Sequence, residues 1–238
     1  MKLFYPILLL LSLAACDHVG GKRIEGNGVS GMQEREVGDF TGISTMGNIE
    51  IVVNSGPSNI LKIEADQNLL GYIETRTNGD VVEVYTKDGF QLRSKKHIRV
   101  YATAPNFTRL KVAGSGDIRS QGKVISNEEL HTEVSGSGNI LLDVDAPVVD
   151  TEIAGSGSVS LSGATRNFSA QVSGSGEIKA FGLMSENTEV DIAGSGDVEV
   201  YASKTLDIEI AGAGDVRYKG NPAVKQNIAG AGNIRKAE

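Results

Sequence analysis

From about residue 110 to residue 236, apolar positions alternate with polar ones in short runs interrupted by glycine. Leu130, Thr132 and Val134 lead into Gly136, and Ile140, Leu142 and Val144 leave it. Phe168, Ala170 and Val172 lead into Gly174, followed by Ile178 and Ala180. Leu206, Ile208 and Ile210 lead into Gly212, followed by Val216 and Tyr218. Glu133, Asp207 and Glu209 fill alternate positions. A period of two is the signature of a strand with one buried face. The choice of Val, Ile and Thr suits a pleated surface. No part of this region sustains an apolar 3.6-residue period of helix length.

The interruptions are themselves a repeat. Gly-(Ser/Ala)-Gly-x-(Ile/Val) starts at Gly114, Gly136, Gly155, Gly174, Gly194, Gly212 and Gly230, with second glycines Gly116, Gly138, Gly157, Gly176, Gly196, Gly214 and Gly232. Successive starts are 22, 19, 19, 20, 18 and 18 residues apart. A weaker relative, Met46-Gly47-Asn48-Ile49, stands earlier. Each unit reads as two short strands around a glycine corner, closed by a polar return turn. One unit holds too few apolar side chains to bury them alone, so units must stack. The prediction is an all-β, single-stranded right-handed parallel β-helix (a β-solenoid) with coils of about 19 residues; the hand follows from the preference of parallel crossovers. The competing arrangement is a meander or sandwich in which each signature is a hairpin turn. Constant spacing with constant corner chemistry favours the stack. The glycines continue the inward parity of the strand, and without side chains they let the wall bend and permit positive φ. The residue between them must be small if copies stack, and its hydroxyls are expected to bond along the stack.

Residues 36–112 are less regular. Phe40, Ile43, Ile49, Ile51 and Val53 alternate like strands, as do Leu61, Ile63 and Ala65, then Val82 and Val84, then Ile98 and Val100. Gly79-Asp80 and Lys87-Asp88-Gly89 mark turns. This part reads as divergent coils with a less regular N-terminal β cap, since end units of a solenoid are atypical.

The first residues read differently. Met1-Lys2 is a short positive region, and Ile7 to Leu13 is an apolar run too short to span a bilayer but suited to a signal-peptide core. Leu13-Ala14-Ala15-Cys16 resembles a bacterial lipobox, whose cysteine is acylated and becomes the first residue. Residues 1–15 are therefore expected to be a lipoprotein signal peptide, and residues 16–37 the lipidated Cys16 and a Gly-rich polar tether that includes His18. The solenoid is expected over 38–238, with regular repeats over 110–236. Asp17 resembles an inner-membrane retention signal, and the choice of inner or outer membrane and leaflet stays open.

Composition narrows the chemistry. The formal charge of −7, without a basic block, excludes nucleic acid as an expected partner. One cysteine and three histidines (His18, His97, His131) leave little for a metal site or a thiol nucleophile, so no metal and no cofactor are predicted. After each second glycine stand Asp117, Asn139, Ser158, Glu177, Asp197, Asp215 and Asn233. On a stack these form an outward ladder, read either as a cation or glycan site or as a solvated polar row. Ser158 and Asn233 interrupt its charge, and the spacing is not that of a nine-residue calcium repeat. Acid pairs also raise a glycosidase or polysaccharide lyase. Such enzymes need carboxylates at a set gap in a cleft, and here the acids are spread singly among short loops, so no catalytic residue is assigned. Gly-Ser-Gly lacks the Gly-Lys-Ser/Thr of a phosphate loop. His131 has no distinguishable partner in the sequence and reads as a surface or satisfied strand residue. His97 reads as a surface residue near a turn, and Lys95-Lys96 with Arg99 as a small basic spot, a solvated edge in preference to a lipid-headgroup contact.

A lipobox, a mixed β start and repeated Gly-Ser-Gly-(Asp/Asn)-(Ile/Val) coils together resemble the "putative auto-transporter adhesin, head GIN domain" family of bacterial envelope proteins, over about residues 38–220. The resemblance implies a single-stranded right-handed parallel β-helix and an envelope location, and brings no catalytic residues. The expected function is a non-catalytic, membrane-anchored adhesin that binds a polysaccharide or an envelope protein. The alternatives are a polysaccharide-processing enzyme on the same fold, and a periplasmic structural or signalling scaffold. In the last case the final repeat, Asn233-Ile234, leaves an open edge for end-to-end self-association, guarded by Lys225, Arg235 and Lys236.

Overall fold

The computed structural model describes residues 21–238; the expected signal peptide and the expected lipidation site Cys16 lie outside the described residues. Two walls of strands face each other across one apolar core, a ten-stranded and an eleven-stranded sheet. From Arg109 onward each coil gives one strand to each wall. The next coil lays its strands parallel on both, as Glu129–Gly136 does on Val148–Gly155 and Asn139–Asp145 on Ser158–Ala164. The signature glycines stack directly, Gly136 on Gly155 on Gly174 on Gly194 on Gly212 on Gly230. The corners are therefore points in a column rather than hairpin tips, and the chain is a β-solenoid.

The alternation read in the sequence is the burial pattern. In the second wall Ile51, Ile118, Ile140, Val159, Ile178, Val198 and Val216 form one continuous inward column, each 1 % exposed or less. Ile43, Leu110, Thr132, Thr151, Ala170, Val190 and Ile208 form another on the first wall. Thr132 and Thr151 keep their buried hydroxyls satisfied against each other at 2.9 Å. At the longest repeat spacing, 22 residues, the strand Asp117–Ile125 carries an irregularity between Arg119 and Lys123 that absorbs the extra length.

The two glycines of a corner serve different ends. Gly194 has φ +135°, and a Cβ there would strike the Gly174 carbonyl of the coil beneath. Gly196 has no such φ, but its Cβ would lie 2.5 Å from Val172 Cγ1 and 2.7 Å from the Gly176 carbonyl oxygen. Only the second glycine thus takes the inward place expected of both. The residue between them, Ser195, is exposed. The ladder through the corner is carried by the main chain: Ser195 N–H donates to Gly174 O at 2.8 Å, and Asp197 N–H to Gly176 O at 3.1 Å. That replaces the expected hydroxyl ladder.

The start of the stack departs from chain order. The coil Gly42–Ser55 lies under Arg109–Ile125, with Gly47 in register with Gly114, so the weak signature at Gly47 marks a true corner. Beneath it lies a later segment, Val81–Thr86 in one wall and Arg99–Ala104 in the other. Antiparallel strands then close this end: Ile73–Asn78 on the first wall, Ile60–Asp66 and Ser30–Arg35 on the second. One 3-10 turn, Leu70–Tyr72, crosses between them.

Here the reading of 16–37 as a tether needs correction within the described residues. Lys22–Glu25 pairs parallel with Phe90–Arg93, and Ser30–Arg35 pairs antiparallel with Ile60–Asp66. Both strands are largely exposed, so they carry no apolar alternation; their order comes from hydrogen bonds to neighbours far along the chain. Asp66 pins the region. Fully buried, it accepts from Gly28 N–H at 2.5 Å, from Lys95 N–H at 3.0 Å and from the Ser94 hydroxyl.

Candidate functional site

A stacked coil presents its outward residues as columns with a rise of about 4.8 Å per coil. The predicted ladder is such a column: Asp117, Asn139, Ser158, Glu177, Asp197, Asp215 and Asn233 are all in register on the second wall. The amides split it into pairs. Asn139 Nδ2 donates to Asp117 at 2.8 Å, and Asn233 Nδ2 to Asp215 at 3.0 Å. Glu177 is met by Lys179 at 2.7 Å. Among the described residues no three acids or histidines converge to hold a metal ion. A shallow hollow runs along the end of the ladder between Asp197, Asp215, Asn233, Arg217 and Arg235.

Towards the cap the same column carries a charge cluster absent from the sequence reading. Glu50 sits between two arginines, with Arg99 Nε donating at 2.8 Å and Arg119 Nε bonding from the coil above. Burial pushes the Glu50 carboxyl up, and the two guanidiniums more than offset it, leaving it below the ordinary carboxylate range. Tyr101 donates to Glu64 at 2.9 Å beside this cluster. Arg99, read from the sequence as part of a solvated edge, is instead committed to Glu50.

On the first wall His131 does have a partner. Its Nδ1 lies 2.7 Å from Asp150 Oδ2, one coil on, and Nε2 lies 3.9 Å from Glu133. Lys111 reaches Glu133 at 2.7 Å. The Asp150 carboxylate raises the His131 pKa against the opposing effect of burial, and His131 in turn lowers that of Asp150. The histidine thus joins three coils electrostatically. Among the described residues no serine or threonine hydroxyl is hydrogen-bonded to its ring.

Further along this wall Glu152, Asp191 and Glu209 overlook a shallow groove floored by Ser173, Ala193, Ala211 and Ala229. Burial, then Glu209 and Asp207, raise the Asp191 carboxyl. The far end of the stack is open. The strands Ala223–Gly230 and Asn233–Lys236 are terminal in their walls, and Val224 and Ile228 at inward positions are 40 % and 39 % exposed. Gln226 takes the inward place that Ile208 holds one coil earlier.

Fold and surface together define a β-solenoid whose chemistry is displayed along open walls. The family described as "Putative auto-transporter adhesin, head GIN domain" matches residues 39–222, and the chain belongs to it. That membership places the chain among cell-envelope or surface proteins of adhesin type. Its fold is similar to that of a "putative lipid binding protein" from Parabacteroides distasonis ATCC 8503, with 29% identity, a TM-score of 0.77, and coverage of 91% of this chain and 100% of that one. A "putative adhesin" from Bacteroides fragilis NCTC 9343 shares the fold at 21% identity and TM-score 0.84, covering 90% of this chain and 100% of that one. Another from Parabacteroides merdae ATCC 43184 does so at 24% identity and TM-score 0.73, covering 91% and 100%. No curated protein matches the chain.

Proposed function

We propose that the chain is a lipid-anchored, non-catalytic protein of the bacterial cell envelope that binds an extended partner, a polysaccharide or another envelope protein, along its solenoid walls. The observation that carries this reading is the register of the surface columns. A ladder from Asp117 to Asn233 repeats one position coil after coil, which suits a linear ligand with its own repeat. The adhesin names of the family and of its structural neighbours support the same direction. The acids lie on open walls rather than in a cleft with two carboxylates at a set gap, and that weighs against a glycosidase or lyase. Leu13-Ala14-Ala15-Cys16 supports anchoring through an acylated Cys16.

Two experiments test this. A glycan array and a cell-adhesion assay on the purified protein should show binding that falls when Asp197 and Asp215 become Asn; no binding to any glycan or cell counts against the adhesin role. Turnover of a polysaccharide, abolished by Asp197→Asn, would replace it with an enzyme. Incorporation of labelled palmitate should disappear in Cys16→Ser, and an unlabelled wild-type chain would remove the anchor.

A further inference from the structure

The chain is acidic overall, and its capped end carries acids and bases in nearly equal number, yet five cations gather on one part of that end. Lys22, Arg23, Arg93, Lys95 and Lys96 are all exposed and lie on segments that the structure brings together. Lys22–Glu25 pairs with Phe90–Arg93, and Lys96 Nζ donates to Ser30 Oγ at 2.5 Å. Buried Asp66 ties Gly28 to Ser94 and Lys95. Among the described residues, Arg23 alone of these five is ion-paired, to Glu25 at 3.0 Å. Beside Ser30 stand Val29 and Met32, 53 % and 62 % exposed. In the sequence this was a Lys-Lys pair and a separate Gly-rich stretch; folding joins them into one basic surface bordered by apolar side chains.

The first described residues lie at this same surface. Gly21 packs on Gly89 and Phe90, and Lys22 N–H bonds to Gly89 O at 2.7 Å. Five residue steps separate Cys16 from Gly21, a reach of at most ~17 Å. An acylated Cys16 therefore holds the capped end, and with it this basic cluster, within about two Debye lengths of the bilayer. The acidic groove lined by Glu152, Asp191 and Glu209 lies several coils further along the stack.

We propose that the capped end docks on an anionic bilayer surface, with Lys22, Arg23, Arg93, Lys95 and Lys96 meeting lipid phosphates and Met32 and Val29 touching the interface, so that the rod stands with its open end outward. This rests on the anchoring proposed above and deepens it. A basic residue near an anionic surface gains about five-fold in partitioning, and the patch has several.

The test uses the lipidated full-length chain in vesicles of phosphatidylcholine, with and without about 30 mol% phosphatidylglycerol. Acetylation by an amine-reactive ester is followed at each lysine by mass spectrometry. Labelling of Lys22, Lys95 and Lys96 should fall about five-fold or more on the anionic vesicles and recover in about 0.5 M salt. Lys225, in the last coil, should label equally throughout. In Lys22→Glu/Lys95→Glu, whose exposed side chains leave the fold intact, Lys96 should lose its protection. Equal labelling on both vesicles, or protection that ignores salt, overturns the docking surface. A chain that fails to sediment with neutral vesicles overturns the anchor instead; the patch is then judged by salt-sensitive sedimentation with anionic vesicles alone, and its absence overturns the patch too.

Discussion

Replacing Gly196 by Ala tests the corner directly. The new methyl would lie 2.5 Å from Val172 Cγ1 and 2.7 Å from the Gly176 carbonyl oxygen. Ordinary contact begins near 3.4 Å, so one neighbour must move by 0.9 Å and the other by 0.7 Å. Val172 is 3 % exposed and packed in the core column, so it has no free space to rotate into. The carbonyl already accepts the Asp197 N–H at 3.1 Å, and displacing it strains the ladder between coils. Overpacking costs about 1–3 kcal/mol and a weakened hydrogen bond about 1 kcal/mol more. The lost flexibility of glycine in the unfolded chain returns roughly 0.4–1 kcal/mol. The net is a destabilisation of about 1–3.6 kcal/mol, or about 2–14 °C in Tm for a domain of this size. Thermal unfolding followed by circular dichroism reads it, and damage in mid-stack should broaden or split the transition, because coils hold mainly to their neighbours. Val172→Ala combined with Gly196→Ala should cost less than the sum of the two. Ser195→Ala should be neutral, since Ala213 and Ala231 already occupy that place in other coils. Gly71→Ala, with open space around its Cβ, should be neutral too. A Gly196→Ala protein melting within about 1 °C of the parent, with an additive double variant, would refute the packing argument.

Asp66→Ala leaves the Gly28 and Lys95 amides without their buried acceptor and should cost on the order of 2 kcal/mol. The Ser94 hydroxyl first, then the Gly28 and Lys95 amides, hold this carboxyl below its usual range against burial. Its stabilisation is therefore complete above about pH 4 and fades as pH falls through the folded pKa, an acid slope that Asp66→Ala should lack in melts from pH 7 to 3. His131 has the opposite sign. Raised by Asp150, it stabilises fully below about pH 6.5 and loses that as pH rises through the folded pKa, so Tm between pH 6 and 9 should fall less in His131→Ala than in the parent. At the open end, Gln226→Val makes the inward column apolar to its last rung. Light scattering should show more self-association than in the parent, and an unchanged monomer would remove the role given to Gln226.

The repeat made most of the stack legible. Its inward columns are the alternating residues of the sequence, and even the weak corner at Gly47 lies in register. Pairs one coil apart were open to the same arithmetic. Asp150 stands 19 residues after His131, so adding one repeat length to the histidine would have found its partner. Glu50 and Arg119 were not open to it, because they are 69 residues apart and the cap segments between them are threaded out of order. Asp66 reads as an ordinary polar residue after a strand; only the closing of three distant segments over it creates its burial. The segment after Cys16 misled because exposed edge strands need no apolar pattern.

The two ends of the rod are unlike for a physical reason. A parallel stack satisfies each coil's main chain with the next, so it ends wherever the next coil is missing, leaving unpaired edges. At the start this protein turns the chain antiparallel on both walls and slides a later coil beneath an earlier one, which removes the apolar rung from water. At the other end the described chain does neither. It keeps eight edge residues of the strand Ala223–Gly230 exposed and places Gln226 where a larger apolar side chain would invite another coil. Because Gln226 is exposed, its amide keeps hydrogen bonds to water, and a polar side chain in that rung makes the edge a poor template. The closed end can bear a contact with another surface without exposing core. At the other described end Val224 and Ile228 stay partly exposed, and Gln226→Val would extend that apolar surface across the rung.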